Sequence, residues 1–245
     1  MEPQKITGIF KLKKHLGIEG VSLPVPIDFH GLKINPDTSE ACLELPLPPE
    51  IKNPCEEEIK LLLEEKFDEL TTSLALAGVG FDGELDEFYF PSGGCVKVRI
   101  IEPVKFDENV ISSANEFLGK LNDLSPEIKE AIVRSMKWWR RGFVEDDPVD
   151  KFLNFYVAFE IIGKKISPSK ERWIIESCQK LGLPPETFKY EGKSISEIRG
   201  EILHAGKKEA INLAEKYANK FGEEVLSALR ILVNNPAAFL HPQSS

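Results

Sequence analysis

The sequence contains no long hydrophobic run and few residues of the types that hold metal ions or form disulfides. No apolar stretch approaches the roughly 20 residues that cross a bilayer, so we predict no membrane span. The first residues lack the charged-then-apolar pattern of an export signal, which predicts a cytoplasmic location. The 4 cysteines and 4 histidines are scattered, without a C-x-x-C pair. We therefore expect reduced cysteines, no metal site and no cofactor.

Motifs of the common nucleotide-binding and hydrolytic enzymes are also missing. The chain has no Walker loop, G-x-S-x-G elbow or H-E-x-x-H helix. Residues 78–83 do read G-x-G-x-x-G, but a dinucleotide site requires a helix to begin at that loop. Acidic and aromatic residues come next, and a predicted turn at residues 91–94 leaves no room for such a helix. We therefore interpret residues 78–83 as a glycine turn.

The balance of hydrophobic and charged residues is that of a folded protein. Of 245 residues, 42% are hydrophobic and 29% are charged. The 31 basic and 40 acidic side chains give a net charge of −9. Residues 1–123 hold 12 basic and 23 acidic side chains, a balance of −11, whereas residues 124–245 hold 19 and 17, a balance of +2. This asymmetry, together with a change in hydrophobic pattern, predicts two domains with these bounds.

Residues 1–123 are predicted to form an acidic domain of mixed α and β structure, for which the sequence indicates no role. Frequent prolines before Cys55 exclude long helices there, and acidic residues after it favour the start of a helix. Strands are expected at residues 87–90 and 95–101, on either side of the predicted turn. Residues 71–79 fit either a strand or a continuation of the helix.

Residues 124–245 are predicted to be entirely helical, as a bundle of four or five helices. Ser125-Pro126 and Asp147-Pro148 each place an N-cap residue before a proline at the first helical position. Apolar residues recur at helical spacing after both signals: Ile128, Ile132, Met136 and Trp139, and then Phe152, Phe155, Tyr156 and Phe159. The fold class expected for the whole chain is α+β, a β-containing domain followed by an all-α bundle.

Three more helices complete the predicted bundle. One covers residues 168–180, and a capping box at residues 194–197 opens a second, shorter one. The last runs from about residue 207 to residue 233, with a bend near Gly222. Two glycines are expected to end the first two of these helices: Gly182 and Gly206.

Residues 137–141 read Lys-Trp-Trp-Arg-Arg, and two interpretations of this run are open. Aromatic rings interleaved with cations can stack on bases and neutralise phosphates, which makes Lys137, Arg140 and Arg141 candidate nucleic-acid contacts. Alternatively, Trp139 is buried in the core and the arginines are solvated.

Arg199 and His204 are the residues whose side chains are best suited to catalysis, and they share one predicted helix. At about 100° per residue their side chains diverge by about 140°. One regular helix therefore does not aim both at the same point, and the pair by itself indicates little.

The preceding helix changes the interpretation of this pair. Residues 147–160 begin with an Asp-x-x-Asp turn, continue as an aromatic-rich helix and end in Ala-Phe-Glu, roughly 40 residues before Arg199. This helix followed by Arg-x4-His resembles the Apea-like branch of the HEPN superfamily (higher eukaryotes and prokaryotes nucleotide-binding). The resemblance covers roughly residues 125–235.

The resemblance implies an all-α domain that forms a homodimer, with the Arg–His motifs of both subunits lining one cleft. It implies a metal-independent endoribonuclease, often part of a toxin–antitoxin or antiviral system, with RNA and an antitoxin or other protein as partners. His204 would transfer protons as general base or acid, and Arg199 would hold the scissile phosphate. Glu160 and Glu201 would support the pair. Attack by a ribose 2′-OH would leave a cyclic phosphate.

Two features favour an alternative function. In family nucleases a polar residue usually follows the arginine, whereas here that position is Gly200. RNA binding also relies on basic side chains, and this chain is acidic. The alternative is a non-catalytic HEPN-like helical module that binds a protein partner or a nucleotide through the same groove.

Overall fold

A computed structural model of the chain describes residues 5–16, 27–34, 40–51, 54–89 and 108–239. The chain divides into two compact units, Met1–Leu118 and Gly119–Ser245. An antiparallel sheet followed by helices confirms the predicted α+β class. The predicted boundary after residue 123 falls a few residues inside the second unit. Within the described ranges, no helix is both long and apolar enough to cross a membrane.

The first unit is built on a five-stranded antiparallel sheet in the order β2-β3-β4-β1-β5. Its strands are β1 (Lys5–Leu16), β2 (Ile27–Phe29), β3 (Leu32–Ile34), β4 (Glu40–Pro46) and β5 (Gly80–Tyr89). His30 and Gly31 join β2 to β3 with φ of 53° and 83°, the positive values that a tight hairpin turn requires. A side chain at Gly31 would also collide with the backbone carbonyl of Glu44. The turn therefore depends on glycine.

Two helices belong to this part of the chain, α1 (Glu56–Leu76) and α2 (Glu108–Asn122). The helix predicted from Cys55 is confirmed as α1, and the Glu58 carboxylate accepts the Cys55 backbone N–H at 2.9 Å. Phe67 of α1 stacks on Phe10 of β1 with ring centroids 3.8 Å apart, in the core between helix and sheet.

The glycine-rich residues 78–83 follow α1 directly, and most of them belong to β5. Residues 71–76 continue the helix, which settles the choice left open by the sequence. Gly78 turns the chain with a φ of 105°, and β5 starts at Gly80. No helix begins at residues 78–83, as expected for a turn and not for a dinucleotide site. Residues 87–89 of the strand predicted at 87–90 form the end of β5, whereas residue 90 and the strand predicted at 95–101 lie outside the described residues.

The second unit is a bundle of five helices that follow the end of α2. They are α3 (Pro126–Val144), α4 (Pro148–Ile166), α5 (Trp173–Leu181), α6 (Ile195–Ala205) and α7 (Lys208–Asn234), with a 3₁₀ turn at Pro236–Phe239. Both proline start signals are confirmed, and the Asp147 side chain accepts the N–H groups of Val149 and Asp150. The four other helices of the bundle all pack against α4, which places its aromatic face in the core.

Two predictions for this unit were wrong. The helix predicted from residue 168 begins at Trp173, and Ser169 Oγ accepts the Arg172 N–H at 3.1 Å just before this later start. The unit is also not entirely helical. A hairpin of β6 (Lys189–Tyr190) and β7 (Lys193–Ser194) precedes α6, and its turn residues Glu191 and Gly192 have φ of 49° and 87°.

Gly222 has a packing role in α7, and the helix continues through it without a break. A Cβ at this position would lie 2.5 Å from the Phe155 ring. The Trp139 indole N–H donates to the Gly222 carbonyl at 2.8 Å. The missing side chain therefore allows α4 and α7 to approach closely.

Candidate functional site

The candidate site lies on α6, a short helix with defined ends. The Glu197 carboxylate accepts the Ser194 N–H at 2.7 Å, and Ser194 Oγ accepts the Glu197 N–H at 3.3 Å, so the predicted capping box is confirmed. Gly206 ends the helix with a φ of 55°, also as predicted. Ile195 and Ile198 are fully buried, and they fix which face of α6 is outward.

Arg199 lies where α6 meets α4. Its guanidinium carbon is 5.6 Å from the ring centroid of Tyr156, a cation–π contact. The Tyr156 hydroxyl is 3.2 Å from Ser196 Oγ, which ties the ring to the same turn of α6. Arg199 is half-buried, and it forms no ion pair with any residue that the structure describes. Its guanidinium therefore lies over the Tyr156 ring without a counter-ion among the described residues.

Glu160 belongs to the same cluster as Arg199. Burial raises the pKa of the Tyr156 hydroxyl, and the neighbouring Glu160 carboxylate raises it further, whereas Arg199 opposes the change. The predicted supporting residue Glu160 is thus brought beside the Tyr156 hydroxyl. Tyr156 itself was predicted only as a core residue, since its contact with Arg199 depends on how α4 and α6 pack.

His204 lies in the last turn of α6 and is exposed. It is not in contact with Arg199 in the described chain, in agreement with the divergence expected along one helix. Leu203 is next to it in the sequence and is 51% exposed. Few other large apolar side chains are exposed in the described part of the chain. The end of α6 therefore presents an imidazole next to an uncovered apolar group.

Glu201 is engaged in structural contacts. Its carboxylate accepts hydrogen bonds from Lys193 and Lys207, each at 2.8 Å, and these bonds lower the pKa of Glu201. Lys193 precedes α6 and Lys207 follows it, so the Glu201 carboxylate links the helix to the segments on both sides of it. It stays ionised at neutral pH and is a support for α6, not a proton donor.

Gly200 has open space around its α-carbon. A Cβ placed there would meet no atom within 4 Å, apart from its own helix turn and chain neighbours. The helix continues through this position. There is therefore room for a side chain at position 200.

The run at residues 137–141 divides between core and surface. Trp139 is buried as one interpretation predicted, but Arg140 is buried completely. Arg140 is four positions after Met136 on the face of α3 that packs inward, so its inclusion among nucleic-acid contacts was wrong. Arg141 is exposed, and its guanidinium carbon lies 5.0 Å from the ring centroid of Trp138.

No group of three or more His, Cys, Asp or Glu side chains with metal-binding geometry occurs in the part of the chain that the structure describes. No family model matches the sequence, and no significant match was found among curated proteins or solved structures.

Proposed function

We propose that this chain is a HEPN-like, metal-independent endoribonuclease in which Arg199 and His204 form the active site. The placement of Arg199 is the main support for this function. Its guanidinium is held over Tyr156, half-exposed, and no described carboxylate neutralises it. A planar fork of fixed charge in such a position suits a phosphodiester.

The reaction that fits these groups is an internal phosphoryl transfer. His204 takes the proton of a ribose 2′-OH, the 2′-oxygen attacks phosphorus, and the bond from phosphorus to the 5′-oxygen breaks. A protonated imidazole returns a proton to the leaving 5′-oxygen. Such proton transfer contributes about 10²–10⁴-fold to the rate. Arg199 stabilises the charge that develops on the phosphoryl oxygens.

The proposal requires a dimer, because one α6 does not bring Arg199 and His204 together. A two-fold axis near the end of α6 would place His204 of one subunit opposite the Arg199 of the other. The exposed Leu203 next to His204 supports a contact surface at this end of the helix. RNA would then bind in the cleft between subunits.

A second candidate function is supported by the same region. Gly200 offers no hydrogen bond to a substrate, and an exposed Leu203 suits a protein surface as well as a second copy. The alternative is a non-catalytic module that uses this groove to bind a protein such as an antitoxin, or a nucleotide.

Cleavage of end-labelled RNA in EDTA tests the proposal. We expect wild type to cut and leave a cyclic-phosphate end, and Arg199→Ala and His204→Ala each to lose the activity. Matched controls are Arg172→Ala and His30→Asn, which remove the same residue types outside α6; asparagine tolerates the positive φ of His30. Cleavage retained by both α6 variants would reject the two residues. A folded, dimeric wild type that cuts nothing would favour the binding module.

A further inference from the structure

A strip of basic and aromatic side chains lies along the outer face of α3. Arg134, Trp138 and Arg141 recur at helical spacing, so they share one face, and Lys137 is beside them. Arg134 and Arg141 are exposed, and Trp138 and Lys137 are partly exposed. Residues 131–144 contain no acidic residue, in a chain that carries 40. We call these four residues the α3 strip.

The opposite face of α3 fixes the position of the strip. Ile132, Met136 and Trp139 are buried, and Trp139 is also hydrogen-bonded to α7 through the Gly222 carbonyl. The helix that carries the strip therefore has little freedom to rotate or shift. The strip therefore lies on a packed helix and not on a loop.

Arg141 and Trp138 form a preorganised pair within the strip. The guanidinium lies over the indole ring, 5.0 Å from its centroid, which restricts the rotamers of both side chains. Ordering a long side chain normally costs conformational entropy on binding. Part of that cost is already met here, so the pair is suited to contact a ligand.

We propose that the α3 strip is a binding surface for single-stranded RNA, separate from the site on α6. Its cations match the charge of a phosphate backbone, and the partly exposed indole can stack on an unpaired base. A duplex would satisfy only the cations, since its bases are stacked on one another. The strip lies on α3, whereas the candidate site lies on α6, which packs against α4 and α7. The inference rests on the proposed function only in taking RNA as the ligand, and it holds whether or not α6 is catalytic.

Fluorescence anisotropy with labelled RNA of roughly 16 nucleotides tests this inference. The full chain carries His204→Ala, so that cleavage does not interfere. We expect Arg134→Glu/Arg141→Glu to weaken binding by about tenfold or more and to reduce the salt dependence by about two phosphate contacts. Trp138→Leu should weaken binding about tenfold with the salt dependence kept. Circular dichroism and thermal unfolding check that each variant is folded.

The matched control is Lys170→Glu/Arg172→Glu, which makes the same change in charge at two exposed residues before α5. It should bind RNA nearly as tightly as the parent. Equal losses in the strip variant and the control would overturn the proposal, as would an unbound parent or tighter binding of a duplex of the same sequence. Failure of RNA cleavage alone, with strip-dependent binding intact, would reject the proposed function and leave this inference standing.

Discussion

Arg199 lies over the ring of Tyr156, with its guanidinium carbon 5.6 Å from the ring centroid. The contact joins α6 to α4 and orients a charge that no described acidic residue pairs with. The packing of α4 on α6 therefore orients Arg199 before a substrate binds, and such preorganisation favours catalysis.

Tyr156 is predicted to act on cleavage by positioning Arg199. Tyr156→Leu removes a cation–π contact worth about 0.5–1 kcal/mol at a half-exposed site, so RNA cleavage should fall severalfold (about 2–5-fold). Tyr156→Phe keeps the ring and loses the interactions of the hydroxyl with Ser196 and Glu160. It should cut RNA nearly as wild type does. If the two variants lose equal activity, the ring is not what positions the arginine.

Two glycines on neighbouring helices are predicted to respond oppositely to alanine. At Gly222 a Cβ would overlap the Phe155 ring, so Gly222→Ala should lower the free energy of unfolding by about 1–3 kcal/mol. At Gly200 the space is open, so Gly200→Ala should raise it by up to about 1 kcal/mol. Urea unfolding of both variants checks the pair. A neutral Gly222→Ala would mean that the approach of α4 and α7 is looser than described.

The capping box of α6 predicts a loss of stability in acid. Hydrogen bonding by the Ser194 backbone N–H, and then by its side chain, lowers the pKa of Glu197. A carboxylate whose pKa is lower in the folded state stabilises the fold above its ordinary pKa, and this stabilisation disappears as the pH falls through the folded-state value.

Unfolding at different pH values tests this. Glu197→Gln should be less stable than wild type at pH 7, and the difference should shrink below about pH 4. Ser194→Ala should cost about 1 kcal/mol at pH 7, the usual value of an N-cap side chain. An exposed carboxylate in the interior of α7, away from both helix ends, is the control: Glu223→Gln. A Glu197→Gln difference that does not depend on pH would contradict the role of its charge.

Gly200→Asn is predicted to increase RNA cleavage. The open space at this position admits the side chain, and its amide would add a hydrogen-bond donor next to Arg199. We expect a gain on the order of tenfold, less than the 10²–10³-fold of an optimised donor. Gly200→Ala separates this gain from helix stabilisation. Equal rates for the two variants would show that the amide adds nothing to the site.

The sequence predicted those features that depend on local chemistry. The Asp147 cap, the capping box at Ser194 and the glycine at residue 206 all act within one helix turn, and each was located correctly. The β6–β7 hairpin was missed because its turn uses Glu191 at a positive φ. Tertiary hydrogen bonds from Lys216 and Tyr217 hold that residue in place, and no local pattern encodes them.

The contacts around the candidate site were predicted only in part, for the same reason. Arg199, Glu160 and His204 were selected through the family resemblance. The contact of Arg199 with Tyr156 was not predicted, because it follows from the packing of α4 on α6. Arg140 was misassigned because arginine is rarely buried. Its spacing from Met136 did indicate the inner face of α3, and this signal could have corrected the assignment.

Mixing two inactive variants tests the central claim most directly. Arg199→Ala and His204→Ala chains, each inactive alone in EDTA, are unfolded together, refolded and assayed on end-labelled RNA. If each active site takes Arg199 from one subunit and His204 from the other, half of the dimers are mixed and each mixed dimer has one intact site. The mixture should therefore have about a quarter of wild-type activity. A mixture as inactive as its components, beside an active wild type, would contradict a site shared between two subunits.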